Sequence, residues 1–276
     1  MFTKKLSIIY FGLFFTGWLI GCHNTSFSAV ATNDTLVKNA PAKNIFKLQS
    51  YTYDSTKNYI YLTFDDGPQN GTVSCFNVCK ALGVKASFFM VGVHANSKRT
   101  KEIVTDIRNA YPDVLLCNHS STHAFRGKYQ YFYHHPDLAI KDFYKAQKSL
   151  QVPLKIIRLP GNSAWVRTND VKASHIVKPI CLKLDSAGYN VIGWDVEWNF
   201  SHKTETPIQS TQKMLNIVDS AMAKNRLHTK NHLVILTHDR MFKDQNYTDS
   251  LTKFIAKLKI DKRNVFETID HYPGVK

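Results

Sequence analysis

The chain has 276 residues, 43% of them hydrophobic, enough for one sizeable core or at most two modest ones. Lys and Arg number 36 against 21 Asp and Glu, a formal net charge of +15, yet the basic residues scatter through the second half and form no block. That scatter argues against a nucleic-acid partner and leaves two readings, work beside anionic cell-envelope polymers or a solvated, lysine-rich surface.

Lys4 and Lys5 precede an apolar run from Leu6 to Ile20, too short to span a bilayer comfortably and flanked as a signal peptide is. Residues 1–21 therefore read as a signal peptide and the protein as exported, periplasmic or at the cell surface. Leu19-Ile20-Gly21-Cys22 has the form of a lipobox, and a lipidated Cys22 would hold the protein on a membrane by its acyl chains. Ala29-Val30-Ala31 offers a competing small-x-small cleavage site, and an uncleaved apolar segment is a third way to be anchored. Residues 22–55, rich in Asn, Thr, Ala and Lys, read as a tether, and residues 56–276 as one folded domain.

From Tyr59 onward, short apolar runs alternate with longer amphipathic ones. Residues 59–64, 86–91, 114–117, 154–158, 190–194 and 232–237 read as strands, with a last strand near Val265. Between them, residues 73–82, 98–110, 137–150, 180–187, 212–223 and 250–258 read as helices. Such a repeat is a parallel α/β fold, either a barrel or an open doubly wound sheet. Cys75, Cys79, Cys117 and Cys181 are packing thiols or hold one optional disulfide, since no second pair has zinc-ligand spacing.

The chemistry-bearing residues fall at one kind of place. Asp65 and Asp66, His119, Arg158, Asp195 and His238 each follow a strand candidate, and in a parallel fold those ends gather at one rim. Adjacent Asp65 and Asp66 repel each other, which is tolerable if one binds a cation and the other serves as a base; an Asx turn would need only one. His119 and His123, four apart, lie on one face if the segment takes a helical turn. Two imidazoles and a carboxylate make an open divalent-metal site that accepts zinc, cobalt, nickel or manganese. Arg158, before Leu159-Pro160-Gly161, and His238, after Leu236-Thr237, also read as an ordinary ion-pair residue and a loop histidine. Amide hydrolysis, however, needs a base, an acid and a group that keeps the base ionised. No Gly-x-Ser-x-Gly elbow occurs.

These segments resemble, in order and spacing, the five motifs of the polysaccharide deacetylases related to the nodulation chitooligosaccharide deacetylase, carbohydrate esterase family 4. The resemblance covers Tyr59 to the C-terminus and implies a distorted (β/α)7 barrel forming a single catalytic domain. It implies Asp65 as general base, Asp66, His119 and His123 as ligands of a divalent metal, Zn2+ foremost, Arg158 as the residue orienting Asp65, and His238 as general acid. Leu236 would line the pocket for the acetyl methyl, and the backbone at Pro160-Gly161 would face the oxyanion. The family's third motif usually carries an aromatic residue after its proline, whereas Gly161 and Asn162 follow Pro160. In Trp194-Asp195-Val196-Glu197-Trp198 the register is ambiguous: Asp195 or Glu197 would tune the acid histidine and Trp198 would wall the acetyl pocket. The function implied is removal of N-acetyl groups from an amino-sugar polymer of the cell envelope. The alternatives are an amidohydrolase acting on a small non-sugar amide and a catalytically silent carbohydrate-binding protein.

Overall fold

The computed structural model describes residues 51–224 and 226–276; the expected signal peptide, Cys22 and most of the expected tether lie outside the described residues. Along the chain run β1 (Asn58–Asp65), α1 (Thr72–Leu82), β2 (Ala86–Met90), α2 (Lys98–Asn109), β3 (Val114–Asn118), α3 (His123–Gly127), α4 (Tyr129–His134), α5 (Pro136–Ser149) and β4 (Ile156–Ile157). There follow β5 (Trp165–Arg167), β6 (Asp170–Lys172), α6 (Lys178–Ser186), β7 (Asn190–Val191), β8 (Val196–Glu197), α7 (Thr211–Ala223), β9 (His232–His238), α8 (Gln245–Leu258) and β10 (Asn264–Phe266).

The strands form one sheet in the order β6-β5-β7-β4-β3-β2-β1-β9-β8. β1 carries β9 along one edge, while β10 and β2 share the other, β10 at residues 58–60 and β2 at residues 63–65. Pairing is parallel throughout except at β5, antiparallel to both β6 and β7. The sheet curls into a distorted barrel whose end strands, β6 and β8, do not pair. The curl shows in the interior, where Trp165 of β5 shares a cluster with Tyr61, Phe89, Leu115 and Val234 from strands several places away in the sheet.

Period-two alternation explains both layers. On β1, Tyr59 and Tyr61 face the barrel interior, while Ile60, Leu62 and Phe64 face outward and are covered by α1, α2, α7 and α8. Each such side chain, fully buried, contributes roughly 1.5–3 kcal/mol. Gly83, in the left-handed conformation with φ 58°, ends α1 and turns the chain into β2.

One expectation is corrected and one element is new. The tether does not reach Ser55, because Tyr51 donates to Glu267 at 3.2 Å and Tyr53 to the His271 carbonyl at 2.8 Å, so both belong to the folded body. The β5–β6 hairpin, turning at Thr168-Asn169 with Asn169 at φ 59°, was not expected, since three-residue strands show no usable alternation. The four cysteines within the described residues are free and buried, hence packing thiols. Among the described residues no helix is long and apolar enough to cross a membrane.

Candidate active site

Alternation along β1 carries Tyr61, Thr63 and Asp65 to the barrel interior, and Asp65 is the last residue of the strand. The register sets Asp65 beside Phe89 of β2 and His238 of β9, so a carboxylate and an imidazole leave neighbouring strand ends. Asp65 is 2% exposed, and its Oδ1 accepts a hydrogen bond from Arg158 Nη1 at 2.9 Å. The same guanidinium, wholly buried, donates to Thr63 Oγ1 at 2.6 Å, Gly193 O at 2.9 Å and Ile192 O at 3.2 Å. Its face lies 4.3 Å from the centroid of Phe89. Acceptors on β1 and just beyond β7 thus fix the fork in one orientation. Burial raises the Asp65 carboxyl to about 7; Arg158 opposes that rise and the Asp66 charge adds to it.

In an extended strand Asp66 would point away from Asp65. Its φ of 76° breaks the alternation and lets both acids serve one centre. Asp66 Oδ1 is buried and has no hydrogen-bond partner among the described residues, while His123 Nε2 and His119 Nε2 lie 3.1 and 3.5 Å from it. The three candidate ligand atoms fall within 4.8 Å of one another. His119 Nδ1–H donates to the Arg158 carbonyl at 3.0 Å, which leaves the Nε2 lone pair free for a cation. Burial lowers His119 to about 3, keeping the imidazole neutral, the form a ligand requires. Burial acts to raise Asp66, but His123 and the other imidazoles outweigh it and hold the carboxyl well below the usual range. An orphaned carboxylate oxygen facing two imidazole nitrogens fits a divalent metal held by three protein ligands.

The two histidines do not converge in the way their spacing predicts. Ala124, Phe125 and Arg126 have φ of 55°, 53° and 60°, so α3 is a left-handed turn. Ser120 at φ 69° and His123 at φ 50° lead into it. Asp142 of α5, absent from the sequence expectations, pins this loop by accepting the N–H groups of Ser121 and Thr122 at 3.0 and 3.1 Å.

His238 ends β9, with Leu236 one inward-facing position below it and level with Thr63. Burial lowers His238 to about 4, against the favourable charge of Asp66. Its Nδ1 has no hydrogen-bond partner among the described residues, which corrects the expectation that Asp195 or Glu197 tunes it. Asp195 instead accepts two backbone N–H groups, His228 at 2.6 Å and Val234 at 2.7 Å, and ties β9 to the β7–β8 connection. Burial raises Glu197, and the charge of Arg158 opposes that rise. Trp198 is likewise corrected: it is 0% exposed, packed on Phe242 and Phe254 in the outer core, and walls no pocket. Trp194, 5.9 Å from Arg158, is the tryptophan of that segment near the site.

Three neighbours escaped the sequence reading. Arg240 Nη2 donates to Asp66 Oδ2 at 3.0 Å, fixing the carboxylate by the oxygen that does not face the histidines. His94 Nδ1 donates to the Asp66 carbonyl at 2.6 Å. Asp239, wholly buried, accepts from Thr72 and seals the turn after Asp66, where a Cβ on Gly67 would lie 2.6 Å from its Oδ2. The charged run His238-Asp239-Arg240 after β9 was the available signal. Beside Pro160, where the resemblance implies an aromatic residue from the motif itself, the ring of Tyr129 from α4 lies over Gly161.

The fold and site together define a hydrolase of the barrel-rim type with a candidate metal triad flanked by a carboxylate and an imidazole. Residues 52–175 match the family model described as polysaccharide deacetylase. A chitin disaccharide deacetylase of Vibrio alginolyticus is 23% identical over 314 aligned residues, covering 81% of this chain and 73% of that protein. The putative polysaccharide deacetylase YheN of Bacillus subtilis is 36% identical over 93 residues, 33% of this chain and 30% of that one. In fold, the chain resembles the catalytic domain of a peptidoglycan N-acetylglucosamine deacetylase from Eubacterium rectale, with TM-score 0.57, 21% identity and coverage of 80% and 94% of the two chains. A family 4 carbohydrate esterase of Streptococcus mutans gives TM-score 0.58 at 21% identity, with coverage of 77% and 86%.

Proposed function

We propose that this protein hydrolyses N-acetyl groups from an amino-sugar polymer of the cell envelope, releasing acetate and leaving a free amine. The observation that carries this reading is the orphaned Asp66 Oδ1 facing His119 and His123, with Asp65 and His238 on neighbouring strand ends beside it. The match of residues 52–175 to the polysaccharide deacetylase model supports the same chemistry.

Asp66, His119 and His123 would hold a divalent ion, zinc in first place on the donor set, with cobalt, nickel or manganese also accommodated. When bound, such an ion supplies Lewis-acid polarisation of the acetamide carbonyl and lowers the pKa of water. Asp65 removes the proton from the attacking water; Arg158 holds one of its oxygens and leaves the other to act. Backbone N–H at Pro160-Gly161 can come only from Gly161, since proline has none, and that group would face the developing oxyanion. Leu236, inward-facing below His238, would meet the acetyl methyl. His238 rests neutral, so the proton it delivers to the leaving nitrogen is acquired during turnover, and Asp65 across the β1–β9 pairing is the group that has just gained one.

Acetate release from peptidoglycan, chitin oligomers and a small N-acetyl amide, each with and without chelator, tests the proposal. Chelator-sensitive release from a glycan supports it; release from the small amide alone assigns the non-sugar amidohydrolase reading, and none at all leaves a carbohydrate-binding protein. Export, and attachment to a membrane through Cys22, belong to the proposal on the strength of residues 1–22. A Cys22→Ser protein that stays in the membrane fraction would refute the lipid anchor.

A further inference from the structure

Tyr129 and Tyr133 lie four residues apart on α4 and so share one face of the helix. Tyr133, almost fully buried, donates its hydroxyl to the Pro160 carbonyl and clamps the 160–161 backbone to that face. One turn earlier, the Tyr129 ring lies over Gly161 so closely that a Cβ there would stand 2.9 Å from Cε1 and 3.3 Å from Cδ1 and Cζ. Gly161, at φ 64°, is therefore the notch into which this ring is set. The ring also meets His123 edge-on, with centroids 5.8 Å apart and planes at 83°. Yet Tyr129 is 37% exposed, unlike Phe132 and Tyr133 of the same helix, at 0% and 3%. An aromatic ring fixed on one side against the backbone of the site, adjoining a metal-ligand candidate and open on the other side, is built to receive something.

We propose that Tyr129 is a substrate-contacting residue whose ring receives the apolar C–H face of the pyranose that bears the acetamide. This rests on the deacetylase reading, which puts the acetamide at Asp66, His119 and His123. The sugar ring is joined to the acetamide nitrogen by a single bond, so it occupies the first shell beyond those ligands, where Tyr129 stands. Contact with a broad, pre-set apolar surface there selects a ring-shaped amide over an acyclic one.

The test uses metal-loaded enzyme, an N-acetylglucosamine oligomer and an acyclic N-acetyl amide, with Tyr129→Phe and Tyr129→Ala. Tyr129→Ala should raise KM for the oligomer about tenfold with kcat little changed, a loss of the size expected for one aromatic contact. Tyr129→Phe should behave as wild type, and neither variant should alter kcat/KM for the acyclic amide. Oligomer affinity measured calorimetrically in an Asp65→Asn background, where turnover is blocked, should fall by the same factor in Tyr129→Ala. Unchanged KM and affinity in Tyr129→Ala would overturn the assignment, as would an equal loss on both substrates, which would make Tyr129 a prop for His123. Should the wild type release no acetate while binding the oligomer in a Tyr129-dependent manner, the deacetylase reading fails and the sugar contact stands.

Discussion

Replacing Arg158 with Met keeps an unbranched stem in the barrel and removes every donor at its end. Asp65, 2% exposed, then stands without a counter-cation, and the Ile192 and Gly193 carbonyls lose their partners. Leaving one member of a buried ion pair uncompensated costs about 3–5 kcal/mol. Each orphaned carbonyl adds about 1 kcal/mol, so the total is a large part of the roughly 5–15 kcal/mol that holds a domain folded. Protonation of Asp65 limits the loss and gives it a sign in pH. The folded-state value of about 7 already lies above the ordinary 3.8, and without Arg158 it moves higher. A raised carboxyl leaves the folded state relatively most stable at low pH and weakens it as pH climbs toward the folded value. Urea denaturation of the metal-free proteins at pH 5 and pH 8 should therefore show a larger Arg158→Met deficit at pH 8. Adding Asp65→Asn should recover about 2–3 kcal/mol of that deficit, because it removes the uncompensated charge. A deficit independent of pH, or a double variant additive to within about 0.5 kcal/mol, would refute the ion pair as the source of the effect.

Asp66→Ala, His119→Ala and His123→Ala should each lose bound metal and activity together, whereas Asp65→Asn and His238→Ala should keep the metal; elemental analysis of the purified variants decides, and loss of metal from Asp65→Asn would make Asp65 a ligand. An ester with an activated leaving group should restore much of the rate of His238→Ala and none of that of Asp65→Asn, since only the first lacks a proton for the leaving group; equal rescue would mean that the roles are exchanged or shared. On the opposite end of the barrel, Glu267 accepts from His271 at 2.6 Å and from Lys85 at 3.0 Å. Burial acts to raise Glu267 but its two partners lower it from 4.5, while Glu267 chiefly raises His271 from 6.5. The pair should thus stabilise the fold fully between pH 4.5 and 6.5, fading as pH falls through the lowered acid value or rises through the raised imidazole value. Melting curves of Glu267→Gln against wild type should differ most in that window, and a constant difference across pH would count against it.

What is local and repetitive is legible in the order of amino acids alone. Apolar runs of period two and 3.6 placed β1, β2, β3 and β9 and most helices to within a few residues, because a strand or helix buried along one face must carry that period. It also determined which residues stand at strand ends, and so the gathering of Asp65, Asp66, His119, Arg158 and His238 at one rim. Features that depend on contacts far apart in the chain, or on a single backbone angle, are set by the folded molecule. Asp66 and the 123–126 turn adopt positive φ, which no hydrophobic pattern records, and those angles aim the candidate ligands at one point. β4, β7 and β8 are two residues each and exist through their neighbours' hydrogen bonds, so the segment from Trp194 to Trp198 could not be read in register. The fold sends Asp195 to backbone amides and Trp198 into the core, and it brings Arg240 to Asp66 across 174 residues of chain. Tyr129 reaches Gly161 in the same way: a missing Cβ is visible in the sequence, but the ring that uses the space is supplied only when α4 packs onto the rim.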